Sequence, residues 1–377
     1  MKRISTIFAF LLTFALVGCE ADYSEYDNGV FLTEARKGTS MKVVIDDQGG
    51  QGMFSARVSK KTATDVTVKF GVDTAALTLF NKINGSAYNV LPEAYYKFSS
   101  EESVIKAGQI GCEPVSVQIM PFDEGIDQNK KYAIPVVLES AQGGDVLGGA
   151  RHLMVLIDQV IVTDAIYITS GANVPVGTFA EPKMMGKWTL EWLVNMDSFT
   201  RNNVTQWVVK NTAGAQIVYT RFGDVTCPQN CFQMNIGSGK PQSGTGLTAK
   251  KWYHLAMVYD GSNLQFFING VLDVTAAHSK PGEEYEFASV NFSNNRNNFY
   301  ALHGQVCEMR VWSVARSGNE ILNNMYTVDP TTPGLEIYWK ANDGEGRILH
   351  DYSGNGRDGV CPSAPAWRHG IRFPEGM

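Results

Sequence analysis

Residues 252–270 constrain this chain more than any other stretch. Trp252 to Tyr259 is a run of strand-forming residues, Asp260-Gly261 follows, a second run covers Leu264 to Ile268, and Asn269-Gly270 closes the stretch. In the second run Leu264, Phe266 and Ile268 alternate with Gln265, Phe267 and Asn269, the period of a strand with one buried face. Asp-Gly and Asn-Gly provide the positive φ angles that tight hairpins need. The stretch predicts antiparallel strands in a layered β-fold.

The rest of the chain carries the same signal. Strand-like runs occur at Lys42 to Asp46, Met53 to Val58, Asp65 to Val72, Val115 to Met120 and Tyr132 to Leu138, with Gly, Asp and Asn between them. Residues 73–81 predict a short helix or an irregular turn. Strands this closely spaced, with no long amphipathic helix, predict all-β sandwiches. A length of 377 residues suggests about two domains. At 44% hydrophobic and 19% charged residues, each can bury a sizeable core. The formal net charge is -6 with no Lys/Arg block, so nucleic acid is not an expected partner.

The N-terminus reads as a targeting segment. Lys2 and Arg3 precede an apolar run from Ile4 to Val17 that ends at Gly18-Cys19. As a helix the run would span about 21 Å, short of the roughly 30 Å membrane core, which fits a signal peptide over residues 1–19. Leu16-Val17-Gly18-Cys19 resembles a bacterial lipobox, which implies lipidation of Cys19 and a membrane anchor. Without Lys2 and Arg3 the chain holds 30 basic and 38 acidic residues, a balance of -8. Glu20, Asp22, Glu25 and Asp27 form an acidic tether over residues 20–28 that is similar to the export tag of Bacteroidetes surface lipoproteins. The resemblance implies an outer-membrane protein facing the cell exterior.

Two further resemblances divide the remainder. Tyr88-Asn89-Val90-Leu91-Pro92, Ile105-Lys106-Ala107-Gly108, Tyr132-Ala133-Ile134-Pro135-Val136 and the run Leu153 to Ile157 resemble the immunoglobulin-like N-terminal domain of such lipoproteins, here residues 29–160. The 252–270 hairpin, the strand Trp188 to Asn195, the segment Gln305 to Ser317 leading into a short helix at 318–325, Gly334 to Lys340 and Asp351 to Gly356 resemble a laminin-G-like, concanavalin A-type jelly roll, here residues 161–377. This resemblance implies a glycan- or protein-binding sandwich, only some of whose relatives cleave their ligand. It also implies a glycan-binding accessory to an outer-membrane polysaccharide-uptake complex. A protein-binding, adhesive lipoprotein is the alternative, and a glycoside hydrolase a further one.

No catalytic constellation is legible. A retaining glycanase needs carboxylates converging to about 5.5 Å. Glu284 and Glu286 share a strand face, but the third acid of a laminarinase-type pattern is missing. Gly354, Gly356 and Gly359 match a dinucleotide fingerprint formally; Pro362 follows and only 18 residues remain, which excludes the helix it requires. His254 reads as structural. Trp188, Trp192, Trp252, Trp312 and Trp339 lie in strand patterns and read as core.

For sugar recognition, exposed rings must stand beside amides and charged groups. Residues 202–207, 219–232 and above all 291–300 meet that description. The last holds five Asn, one Arg and three aromatics. Trp207, Asn294, Arg296, Asn298 and Tyr300 are the expected glycan contacts, against the alternative of a polar loop that only caps the sandwich. Asp351, Ser353 and Asn355 alternate ahead of Gly356 like half a calcium loop, with Asp358 as a substitute ligand and Pro362 where the closing carboxylate belongs. Calcium and a backbone-bonded Asx turn are the two readings there. Among six cysteines, Cys227 and Cys231 are spaced to close a small disulfide in an oxidising compartment, contributing about 2 kcal/mol.

Overall fold

The computed structural model describes residues 28–127, 130–237, 239–294 and 297–374. Two β-sandwiches follow one another with only Val160 between the last strand of the first (His152–Gln159) and the first strand of the second (Ile161–Ile168). Cys19 and the acidic tether lie outside the described residues, apart from Asn28.

In the first sandwich a six-stranded sheet runs Ser40–Ile45, His152–Gln159, Lys131–Gln142, Val66–Val72 and Glu102–Ile105, with Tyr88–Val90 paired in parallel to the start of Lys131–Gln142. Two three-stranded sheets face it, and Phe54, Phe70, Val117 and Val136 fill the space between. The expected short helix is α1 (Thr74–Asn84). Asp73 caps it by accepting from the amides of Ala75 and Ala76, and Gly85 ends it at φ 58°, a left-handed position that suits glycine. Leu77 of α1 packs with Tyr88 and Met154 on the outside of the large sheet.

The second sandwich has an eight-stranded and a seven-stranded sheet. The first runs Val271–Ala277, Asn263–Ile268, Trp252–Tyr259, Trp188–Met196, Gly304–Trp312, Ile161–Ile168 and Ala366–Phe373, with Leu335–Trp339 also paired to Gly304–Trp312. The hairpin forms as its turns predict: Asp260 Oδ1 accepts from the amides of Ser262 and Asn263, and Asn269 and Gly270 take φ of 50° and 75°. Trp188, Trp192, Trp207 and Trp339 lie in the core, and Trp207 stacks on Trp339 at 6.0 Å.

One departure from the alternation has a clear cause. Phe267 faces away from the inter-sheet core yet is buried, because α2 (Gly318–Asn323) covers that side and Ile321 packs on it with Ala256 and Val258. Ser317 starts α2 with a capping box to Glu320.

Polar side chains hold the same covered face. Glu191 has no exposed surface and meets Arg310 Nη1 at 3.0 Å and Arg316 Nη1 at 2.6 Å, with His254 Nε2 at 3.4 Å. A bulge opposite Trp192, with Glu308 at φ 53°, sets Glu308 on Arg310 Nη2, and Tyr338 donates to Glu308 at 2.6 Å. Arg310 also donates to the carbonyl of Asn324, and Arg316 to that of Glu320, so both guanidiniums clamp α2 and the turn after it. Burial raises the Glu191 pKa, but the charges of Arg316 and Arg310 and the neighbouring His254 outweigh it and hold the carboxyl far below its usual range. Burial pushes His254 down, only partly offset by Glu191.

Replacing Glu191 with Gln leaves the buried Arg316 guanidinium without a carboxylate and Arg310 with Glu308 alone, and is expected to cost about 3–5 kcal/mol in urea denaturation. Because His254 is depressed when folded, its protonation favours the unfolded chain. Wild-type stability should therefore fall as pH drops below about 6.5, and fall less between pH 7 and 5 in His254→Phe. Glu191 contributes above its unfolded pKa, and that contribution is lost only at much lower pH.

Candidate functional site

The seven-stranded sheet forms the layer of the second sandwich opposite α2. It runs Cys227–Ile236, Gln216–Asp224, Val204–Lys210, Tyr285–Phe292, Val176–Met185, Gly359–Val360 and Ile348–Leu349. The stretches 202–207 and 219–232, read as loops from sequence, lie largely in the first three of these strands. Val218 and Phe222 point into the core, so Tyr219 and Arg221 between them point outward. Register then sets Gln233, Arg221 and Thr205 in one row across three strands.

Arg221 organises that row. Its Nε and Nη2 donate to Gln233 Oε1 at 3.0 and 2.7 Å, its Nη1 to Asn203, and its Nη2 also to Asp224. The guanidinium lies 5.7 Å from the Tyr219 ring centre, a cation–π contact that holds the ring over the sheet. Tyr219 Oη is 3.1 Å from Thr205 Oγ1, and Asn294 Nδ2 donates to the same oxygen at 3.4 Å. Burial pushes the Tyr219 hydroxyl pKa up, and Tyr300 is close enough to add to that shift. In this patch Tyr219, Asn203 and Asn294 are thus part-exposed over a buried layer of Thr205, Arg221 and Gln233.

Two non-glycine residues in the left-handed region bring the patch together. Asn203 has φ 60° and Ser293 φ 79°. Asn203 donates its amide to the Gly223 carbonyl, and Ser293 Oγ accepts from the Leu302 amide at 2.6 Å. Arg201 ties the two loops by donating to the carbonyls of Phe299 and Ala301 at 2.7 and 3.3 Å, and lies 5.8 Å from the exposed Phe299 ring.

The expected contacts divide. Asn294 falls on this patch, and Tyr300, packed on Phe299, is near enough to act electrostatically on Tyr219. Asn298 stands at its edge, where Oδ1 accepts from the Gly171 amide at 2.8 Å and braces the neighbouring turn. Arg296 lies outside the described residues. Trp207 is a correction: its ring has no exposed surface and packs between Trp339 and Phe292, because the strand Val204–Lys210 turns it inward. Tyr219, Arg221 and Thr205 were not singled out in sequence; the signal was the alternation through 218–222.

The calcium reading meets a filled carboxylate. Asp351 Oδ1 accepts from the amides of Tyr338 and Ser353, and Oδ2 from the Ser353 hydroxyl and the Arg357 amide, at 2.9–3.0 Å. Asp358 Oδ1 accepts from the Asp351 amide, and the Asn355 amide group donates to the carbonyls of Leu335 and Glu336. These oxygens face hydrogen-bond donors instead of converging on a cation, so the residues do not fit a calcium ion and form the bonded turn. No group of three or more His, Cys, Asp or Glu suited to a metal occurs among the described residues. Cys227 and Cys231 form no disulfide; both are free and buried, with Cys227 Sγ against the Cys231 carbonyl at 3.6 Å.

Glu286 accepts from Thr212, Asp224 is held by Arg221, and Glu191 and Glu308 lie closed beneath α2. Trp207→Ala should lower stability by about 3–5 kcal/mol in urea denaturation, as expected of a core ring and not of a ligand contact.

Residues 163–322 match the family model of the concanavalin A-like lectin/glucanases superfamily, and residues 26–145 match a model described as an N-terminal domain. No curated protein matches the chain. Among solved structures, a Bacteroides ovatus protein provisionally named as carbohydrate-binding superposes with a TM-score of 0.53 at 20% identity, covering 90% of this chain and 97% of that one. A heptameric SAP-like pentraxin from Limulus polyphemus is matched over 43% of this chain and 80% of its own, with 15% identity and a TM-score of 0.35. With the paired sheets described above, residues 163–322 belong to a laminin-G-like domain of the concanavalin A-like lectin/glucanases superfamily, joined to a second β-sandwich on its N-terminal side.

Proposed function

We propose that this protein is a non-catalytic glycan-binding lipoprotein of the outer membrane, anchored through Cys19, that captures polysaccharide for uptake. The observation that carries the reading is the outer face of the seven-stranded sheet, where Arg221 holds Tyr219 beside Thr205, Asn294 and Tyr300. Sugar C–H faces pack on such rings while hydroxyls find amides and hydroxyls at fixed positions. Arg221 makes four side-chain hydrogen bonds to its neighbours, so the patch is held in place before ligand arrives, which limits the ordering cost of binding. The superfamily match and the Bacteroides ovatus neighbour are consistent with this class of ligand. The immunoglobulin-like sandwich serves as a spacer between lipid and binding domain.

The test is a glycan array probed with the intact protein, with and without chelator. A positive glycan is expected to bind at least about tenfold more weakly to Tyr219→Ala and Tyr300→Ala, a loss of about 1.4 kcal/mol, with thermal midpoints unchanged. EDTA should leave binding intact, since the Asp351 turn is closed by amides. Release of new reducing ends from any polysaccharide would overturn the non-catalytic reading. Cys19→Ala is expected to move the protein from the membrane to the soluble fraction on fractionation.

A further inference from the structure

The two sandwiches meet along a seam distinct from the sheet-face patch. The Gly85 turn at the end of α1 lies against Ser317 and Asn319 at the start of α2. Beside it opens a cavity of about 540 Å³, lined among others by Asn89, Lys131, Asn323 and Thr327, within the size range of small-molecule sites. A second, smaller cavity of about 80 Å³ shares Lys130, Lys131, Asn323 and Thr327 with it, so Lys131 borders both.

The carboxylates of the seam each bond a group other than Lys131: Asp158 with Lys42 at 2.9 Å, Asp127 with Lys130 at 3.6 Å, Glu320 with the amide and hydroxyl of Ser317, and Asp329 with those of Thr331. Lys131 has no carboxylate within ion-pair distance among the described residues. Arg310 and Arg316 approach it from the second sandwich and Lys42 from the first. Burial and these like charges bring its amine to about 8, with only Asp158 acting in the other direction. Asn323, whose side chain has no hydrogen-bond partner among the described residues, and Thr327, whose hydroxyl lies 3.4 Å from Tyr338 Oη, both line the larger cavity.

We propose that this seam is a second ligand site that takes a uronic acid sugar, its carboxylate on Lys131 and its hydroxyls on Asn323 and Thr327. A ligand carboxylate supplies the ion-pair partner that Lys131 lacks among the described residues, and the amide and hydroxyl lining the same cavity suit a sugar ring more than a bare anion. The site is separate from the sheet-face patch and stands or falls independently of it. Bound carboxylate restores the lysine toward its ordinary pKa near 10.4, so binding at pH 8 takes up part of a proton and weakens as pH rises from 7 to 9.

Calorimetry on the intact two-domain protein with sodium glucuronate, glucose and sodium sulfate tests this. Glucuronate should bind at least about tenfold more tightly than either control, with proton uptake at pH 8. Lys131→Met should lose at least about tenfold in glucuronate affinity at an unchanged thermal midpoint, and Tyr219→Ala should lose none. Without any variant, glucuronate should also protect Lys131 from acetylation at pH 8, read by mass spectrometry. Equal binding of glucose, binding of sulfate as tight as glucuronate, or unprotected Lys131 would each overturn the proposal.

Discussion

The second sandwich depends on one buried ionic cluster. Glu191 accepts from Arg310 and Arg316, Glu308 accepts from Arg310 and Tyr338, and the same two guanidiniums reach the carbonyls that end α2. Charges without exposed surface are tolerable only when each is matched and its remaining donors are satisfied. The cluster therefore specifies where α2 must lie, because moving the helix would strip carbonyl acceptors from both arginines. Arg316 also lies 4.3 Å from the Trp312 ring centre, joining the cluster to the aromatic packing around it. With α2 fixed, Phe267 and Ile321 close an apolar layer over the eight-stranded sheet.

On the opposite sheet, among the described residues, Arg221 is held by Gln233, Asn203 and Asp224 and lies against the part-exposed Tyr219 ring. Hydrolysis of a glycosidic bond needs an acid and a second carboxylate at a defined separation. Asp224 is engaged by Arg221, Glu191 and Glu308 by the buried arginines, and Asp351 by backbone amides at its turn.

The Asp351 turn shows how one spacing supports two outcomes. Oxygen ligands at alternate positions before a glycine suit a cation when their lone pairs converge and suit an Asx turn when amides reach them first. Here the strand Leu335–Trp339 passes close enough for the Tyr338 amide to take one oxygen, and the Arg357 amide folds back on the other. Spacing along the chain does not contain that information, since the deciding donor comes from a distant strand.

The sequence by itself determined the local elements: the Asp260-Gly261 and Asn269-Gly270 turns, the Asp73 and Ser317 helix caps, and the alternation that turns Leu264 and Phe266 inward. Each depends on residues a few positions apart, where backbone preference and side-chain period act directly. The same period would have placed Tyr219 and Arg221 outside and Trp207 inside, had 202–224 been read as strands instead of loops. Tertiary structure alone decided the rest. The row Gln233–Arg221–Thr205, the approach of Asn294 and Tyr300 to Tyr219, and the unpaired lysine between the sandwiches all bring together residues far apart in the chain. Register, the left-handed positions at Asn203 and Ser293, and the docking of one core on another decide such meetings, because sheet pairing and burial are properties of the assembled layers.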